Sequence, residues 1–172
     1  FPISGHATTW RFDGGGLNED GGFQPGTRVV VDHGTLEITN RNQTRMLLEG
    51  PTVFEIHDRK TASLASGKGW FEVSKEDTGF TVLTEHVRVI DLGTRFGVAT
   101  TPFADKIQVD SGHVRVKSRF PGIDAVDLKS GESVAADLVG RTTRTTYDPG
   151  LFLDELSHKP VHIHWSFDSE SD

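Results

Sequence analysis

The sequence contains no cysteine and only one methionine and one tyrosine among its 172 residues. Without cysteine there is no disulfide, no thiolate nucleophile and no thiolate metal site, and the redox compartment is left open. No run of apolar residues approaches the length needed to cross a bilayer as a helix, and no signal-peptide pattern is present. A basic stripe is missing as well. The formal net charge is −7, and the basic stretch RTTRTT at 141–146 carries only two charges. Nucleic acid is excluded as a partner, because nothing neutralises its phosphates, and so is direct contact with an anionic membrane surface. We read RTTRTT as a solvated loop.

Several chemistries lack their signatures. No G-x-S-x-G elbow offers a serine nucleophile. Neither Asp13–Gly16 nor Asp20–Gly22 has the spacing of a phosphate or helix–loop–helix calcium loop, and both read as loops. The carboxylate pairs Asp91/Asp110, Asp124/Asp127 and Glu72/Glu85 lack the aromatic-lined cleft that glycoside hydrolysis uses. With three tryptophans and one tyrosine in the chain, a sugar-stacking groove would have to rest on Trp70 or Trp10, the two candidate ligand-stacking residues. Trp70 and Phe71 are adjacent, so on a strand they face opposite sides, and we expect both to be buried. Histidine is plentiful, at eight residues. His162 and His164, two apart on an alternating strand, have a spacing that suits a divalent metal, but no third ligand is fixed, and we read them as the polar face of a strand. His57, His86 and His113 fall at strand ends and are expected at the surface. No cofactor is implied.

What the chain does have is β structure. Nineteen glycines and 34% hydrophobic residues fit a lean, turn-rich β protein of one domain. Alternating segments recur at 8–12, 27–32, 35–39, 44–48, 52–57, 62–65, 69–73, 80–84, 87–91, 95–100, 106–110, 113–117, 125–128 and 132–135. Glycine and proline turns separate them, with Gly50–Pro51 expected to stop one strand. The predicted fold is all-β: many short strands in a twisted, solenoid-like β-sandwich, with one short C-terminal helix over 149–157 ended by Pro160. A boundary is placed near residue 148. Residues 1–148 form the β domain, and 149–172 form a linker and the first strand of a further module.

The densest motif is VRVIDLGTRFGV at 87–98. Leu92, Gly93, Thr94, Arg95, Phe96 and Val98 form its centre, and it reads as a strand, a glycine break and a second strand. Arg95 is expected to pair with Asp91 across the bend. This stretch resembles the v-x-LGT-x-F-x-V signature of the FecR family, at 90–98. MLLEGPTVFEI (46–56), ASGKGWFEV (65–73), GFTVLTEHVRVID (79–91), IQVDSGHVRVKS (107–118) and DLKSGESVAA (127–136) resemble further stretches of that family, in the same order. Thr52 and Ser111 depart from the usual Ala and Glu.

The resemblance implies a non-enzymatic, extracytoplasmic regulatory domain, periplasmic in location and part of a single-pass membrane protein. Such a domain relays an envelope signal to a sigma factor through protein–protein contacts. Its expected partners are an outer-membrane or surface receptor and the protein's own anti-sigma segment. The chain starts with Phe1 rather than Met, and we expect it to be a piece of a longer protein. HIHWSFDSESD at 162–172 resembles the opening strand of a laminin-G or concanavalin-like module, which implies carbohydrate as a further partner. A carbohydrate-binding β domain is the alternative function, and a metal-dependent enzyme using His162 and His164 is a third.

Overall fold

A computed structural model describes residues 8–152, and residues 161–165 by their backbone. Alternating β-branched and aromatic residues form fourteen strands in one continuous sheet. In chain order these are β1 (Thr9–Phe12), β2 (Thr27–His33), β3 (Thr35–Asn40), β4 (Arg45–Ile56), β5 (Thr61–Glu72), β6 (Thr81–Leu83), β7 (Val87–Asp91), β8 (Arg95–Thr100), β9 (Asp105–Ser111), β10 (His113–Ser118), β11 (Val126–Lys129), β12 (Ser133–Ala136), β13 (Thr142–Thr145) and β14 (Val161–Trp165).

The sheet folds on itself into a nearly closed, barrel-like body of two layers. β4 and β5 each span both layers. The distal half of β4 pairs with β2 and with the first half of β5, which continues through β6 and β7 to β10 and β11. The proximal half of β4 pairs with β3 and with the second half of β5, which continues through β8 and β9 to β12 and β13. The passage between layers falls at Gly50–Pro51, where the β4–β5 register shifts between Glu49 and Val53. The expected break at this dipeptide is therefore a bulge inside one strand of 12 residues. A bulge is where a strand can accommodate a proline, since no ladder donor is required there. The gap between the expected strands 62–65 and 69–73 is likewise bridged, and both lie in the single strand β5.

One rung of the second layer shows how alternation builds the interior. Met46, Phe71, Phe96 and Val109 are cross-strand partners in turn, and all four are 0% exposed. Phe71 stacks on Phe96 with ring centroids 5.2 Å apart and lies between Phe54 and Phe80. From the opposite layer Val29, Val31, Leu64, Val89 and Val116 complete a single apolar core.

Three further expectations are corrected. RTTRTT is not only loop, because Thr142–Thr145 forms β13 on β12. Of the expected C-terminal helix, residues 149–152 form a turn and a bend, while 153–157 lie outside the described residues. His86 is 2% exposed rather than superficial. Strand 161–165 adds in parallel to β3, with Val161 opposite Leu36 and Trp165 opposite Asn40.

Candidate functional site

The Leu92–Val98 motif forms the corner between β7 and β8. Gly93 has φ +103°, a conformation open to glycine at no steric cost. Its N–H donates to Asp91 Oδ2 at 3.1 Å. Leu92 is exposed at the apex, and its N–H donates to the His113 carbonyl at 3.0 Å. Thr94 Oγ1 donates to that same carbonyl at 2.6 Å. The corner is thereby pinned to the β9–β10 turn. Arg95 does not pair with Asp91 as expected. Its Nε donates to Ser111 Oγ at 3.0 Å and lies 3.3 Å from Asp110 Oδ2, on the strand that β8 actually pairs with. Asp91 is 0% exposed, and burial pushes its carboxyl above the usual carboxylate range. Phe96 and Val98 point into the core.

The opposite face of the same strands carries a different arrangement. Leu47, Trp70, Gly97 and Gln108 are successive cross-strand partners on β4, β5, β8 and β9. Being one residue out of phase with the inner rung, they face outward. Residues 147–152 cross this row as a strap. Gln108, itself 3% exposed, grips the strap backbone at both poles. Its Nε2 donates to the Asp148 carbonyl at 2.7 Å and its Oε1 accepts the Asp148 N–H at 3.3 Å. Lys68 Nζ donates to the Leu151 carbonyl at 3.3 Å, and Tyr147 Oη reaches Asp110 Oδ1 at 3.5 Å. Phe152 ends the strap on Trp70 and Leu47, in a small apolar cluster separate from the main core. Gly97 makes this possible: a Cβ there would meet the Phe152 ring at 2.4 Å. Shallow recesses flank the ring, one toward Lys68 and Glu49, the other toward Tyr147 and Asp110.

The two candidate stacking residues therefore lie apart in kind. Trp70 is 5% exposed beneath Phe152, and a sugar could stack on it only where Phe152 has left. Phe71 is buried too, as expected for this pair. Trp10 is half-buried on β1, edge-on to Phe12 at 5.2 Å. His162 and His164 stand opposite Glu37 and Thr39 in the β14–β3 register. Gln108, Lys68, Gly97 and Phe152 did not stand out in sequence. The one available signal was Gly97, a glycine inside a strand, which marks close approach of another group.

At one end of the barrel, buried polar groups tie the loops together. Asp105 accepts hydrogen bonds from Thr84 Oγ1 and Thr100 Oγ1, both at 2.5 Å, and lies 3.1 Å from His86 Nδ1. Arg119 then bonds the Thr84 carbonyl through Nη1 and the His86 carbonyl through its N–H. With the hydroxyls engaged by Asp105 and the ring enclosed, this group is built as a fastening. Among the described residues no group of three or more His, Asp or Glu is placed to hold a metal.

By architecture the chain is an all-β fold whose single sheet nearly closes into a barrel. Two solved structures resemble it: crystal structures, at 2.50 Å and 1.65 Å resolution, of a candidate anti-sigma factor from Parabacteroides distasonis ATCC 8503. Both are 21% identical to this chain, with TM-scores of 0.59 and 0.60, and each match covers 70% of this chain. The chain spans 60% of the length of each of those proteins. The likeness shows the fold. No family model matches the sequence, and no curated protein does.

Proposed function

We propose that this chain is the extracytoplasmic regulatory domain of a FecR-type protein. On this reading it lies in the periplasm as part of a single-pass membrane protein and relays an envelope signal to a sigma factor. It works through protein–protein contacts and catalyses nothing. Its partners are a receptor at the outer membrane or cell surface and the protein's own anti-sigma segment. Residues 1–148 supply the regulatory domain, and 149–172 lead into a carbohydrate-binding module.

The observation that carries the reading is the corner at Leu92–Val98. The stretch that resembles the family signature is the one that pins β7, β8 and the β9–β10 turn together. The other five stretches fall in order on β4, β5, β6–β7, β9–β10 and β11–β12. The fold likeness to an anti-sigma factor candidate points the same way.

The test is an in-frame deletion of residues 27–136 from the full-length gene, followed by transcript profiling. We expect one set of genes sharing a promoter type to change together. An unchanged transcriptome under envelope stress, in a strain whose parent responds, would sink the reading.

A further inference from the structure

We propose that the outward face of β6, β7 and β10, around Arg88 and Lys117, is a docking site for an acidic, extended segment of a protein partner. Val82, Val87, Val89 and Val116 point into the core, so Leu83, Arg88 and Lys117 beside them point outward. These three stand in one row. Lys117 is the direct cross-strand partner of Arg88, and Arg88 of Leu83. Every other arginine on a strand, from Arg11 on β1 to Arg144 on β13, has a carboxylate oxygen at 3.7 Å or less. Arg88 is the exception. Among the described residues neither its guanidinium nor the Lys117 ammonium makes a hydrogen bond or an ion pair, and both residues are exposed. Like charges set directly opposite each other weaken a sheet, and here they do so in a chain whose net charge is −7. A carboxylate laid between them turns that repulsion into two attractions.

The chemistry around the pair defines the occupant. Arg88 presents a planar fork of donors that matches a carboxylate, with the compact charge of Lys117 beside it. Arg119, two positions beyond Lys117, lies about 7 Å further along the chain. It is exposed, with Nη1 on the Thr84 carbonyl at 2.8 Å. An extended segment with acids at alternate positions presents carboxylates at that same spacing. Leu83 and Ile90, both half-buried, flank Arg88 on the same face and offer contact to an apolar side chain. Three cations are too few to hold a nucleic-acid strand, and an apolar flank has no use in a phosphate site. No basic run marks this face in sequence, because Arg88 and Lys117 lie on different strands and meet only through register. The choice of a protein as occupant rests on the protein–protein reading above.

The test is a ¹⁵N NMR titration of the full chain with a synthetic heptapeptide carrying glutamates at alternate positions and one leucine. The parent is compared with the double variant Arg88→Thr, Lys117→Thr, in which both charges go and strand propensity stays. We expect saturable shifts centred on the amides of Leu83, Arg88, Ile90, Lys117 and Arg119. The Kd should weaken with added salt, and by about tenfold or more in the double variant. The same peptide with glutamine for glutamate should not bind. The double variant should melt at or above the temperature of the parent, because a like-charge pair has gone. The proposal is overturned by the absence of saturable shifts, by shifts scattered over other cations, or by an equal Kd in the double variant. A Tm lowered by more than about 4 °C also overturns it, since the two cations would then have partners inside the domain. Tighter binding of duplex DNA or of phosphatidylglycerol vesicles, lost in the double variant, would replace the protein segment with a polyphosphate or a membrane. Peptide binding with an unchanged transcriptome would discard the sigma-factor reading and leave the docking site standing. A changed transcriptome without peptide binding would do the reverse.

Discussion

Replacing Asp77 should unfasten the turn between β3 and β4 from the short 3-10 turn Lys75–Asp77 that follows β5. Asp77 is 3% exposed and accepts from Asn40 Nδ2 at 2.6 Å, Thr44 Oγ1 at 2.6 Å and Asn42 Nδ2 at 2.8 Å. In Asp77→Ala the buried Asn40 amide loses its acceptor outright, at about 1–3 kcal/mol. Thr44 keeps a contact with Ser74 Oγ at 3.1 Å, so its loss is smaller, about 1 kcal/mol. The half-buried Asn42 turns to water. The sum is about 3 kcal/mol, which for a domain of this size lowers Tm by about 6–12 °C. Asp77→Asn should lose nearly as much, because its amide group must face the amide of Asn40 or Asn42. Burial alone would raise the Asp77 carboxyl, but the Asn40, Thr44 and Asn42 hydrogen bonds and the Arg59 charge outweigh it, and the folded value lies below the usual range. The contribution is therefore complete above the unfolded carboxylate pKa of about 4 and is lost as pH falls through the lower, folded value. Thermal and urea unfolding of parent and variants from pH 7 down to pH 2 reads both effects. A Tm change under about 2 °C at pH 7, with no narrowing of the gap in acid, would refute the reasoning.

Phe71→Ala should cost about 3–5 kcal/mol, since it empties the space between Phe54, Phe80 and Phe96, and urea unfolding measures it. Gly112→Ala should cost about 2 kcal/mol or more: the position has φ +91° and a Cβ would sit 2.2 Å from the Gly93 carbonyl oxygen. Thermal unfolding checks that ranking against Gly131→Ala, where φ is also positive but the space is open. Arg95→Ala should change stability by no more than about 1 kcal/mol, because the Arg95–Asp110 pair is half-exposed and screened, and a salt titration of the unfolding midpoint reads it. Asp91→Asn should have the opposite pH signature to Asp77→Asn. Its raised folded pKa makes the ionised form a burden above that value, so the variant should gain on the parent as pH rises through the window between the unfolded and folded values.

Much of the strand order was legible because the core alternates with so little exception. Leu36 and Ile38, Phe54 and Ile56, and Val114 and Val116 each mark an inward face that needs no tertiary information to read. What escaped the sequence were places where a distant segment overrides a local signal. Gly50–Pro51 reads as a stop, yet β2 and β5 on either side hold the chain extended through a bulge. Thr142–Thr145 has no apolar alternation of its own and is a strand only because β12 offers it a partner. His86 lacks a local cue for burial, and its enclosure comes from Asp105, nineteen positions away. The candidate site divides the same way. The Leu92–Val98 corner was legible because its conformation is written in one glycine and its neighbours. The strap was not, because Gln108, Gly97 and Phe152 meet only after four strands have been laid side by side.

The long β4–β5 hairpin has a consequence for how the molecule comes to exist. Its strands are joined by residues 57–60 alone, so this pairing forms a long antiparallel ladder for the closure of one short loop, at a small entropic penalty. Because each layer contains half of that hairpin, both layers can be templated outward from it at once, β3 and β8 growing from one end, β2 and β6 from the other. The barrel therefore has no fault line along which one layer could melt and leave the other standing.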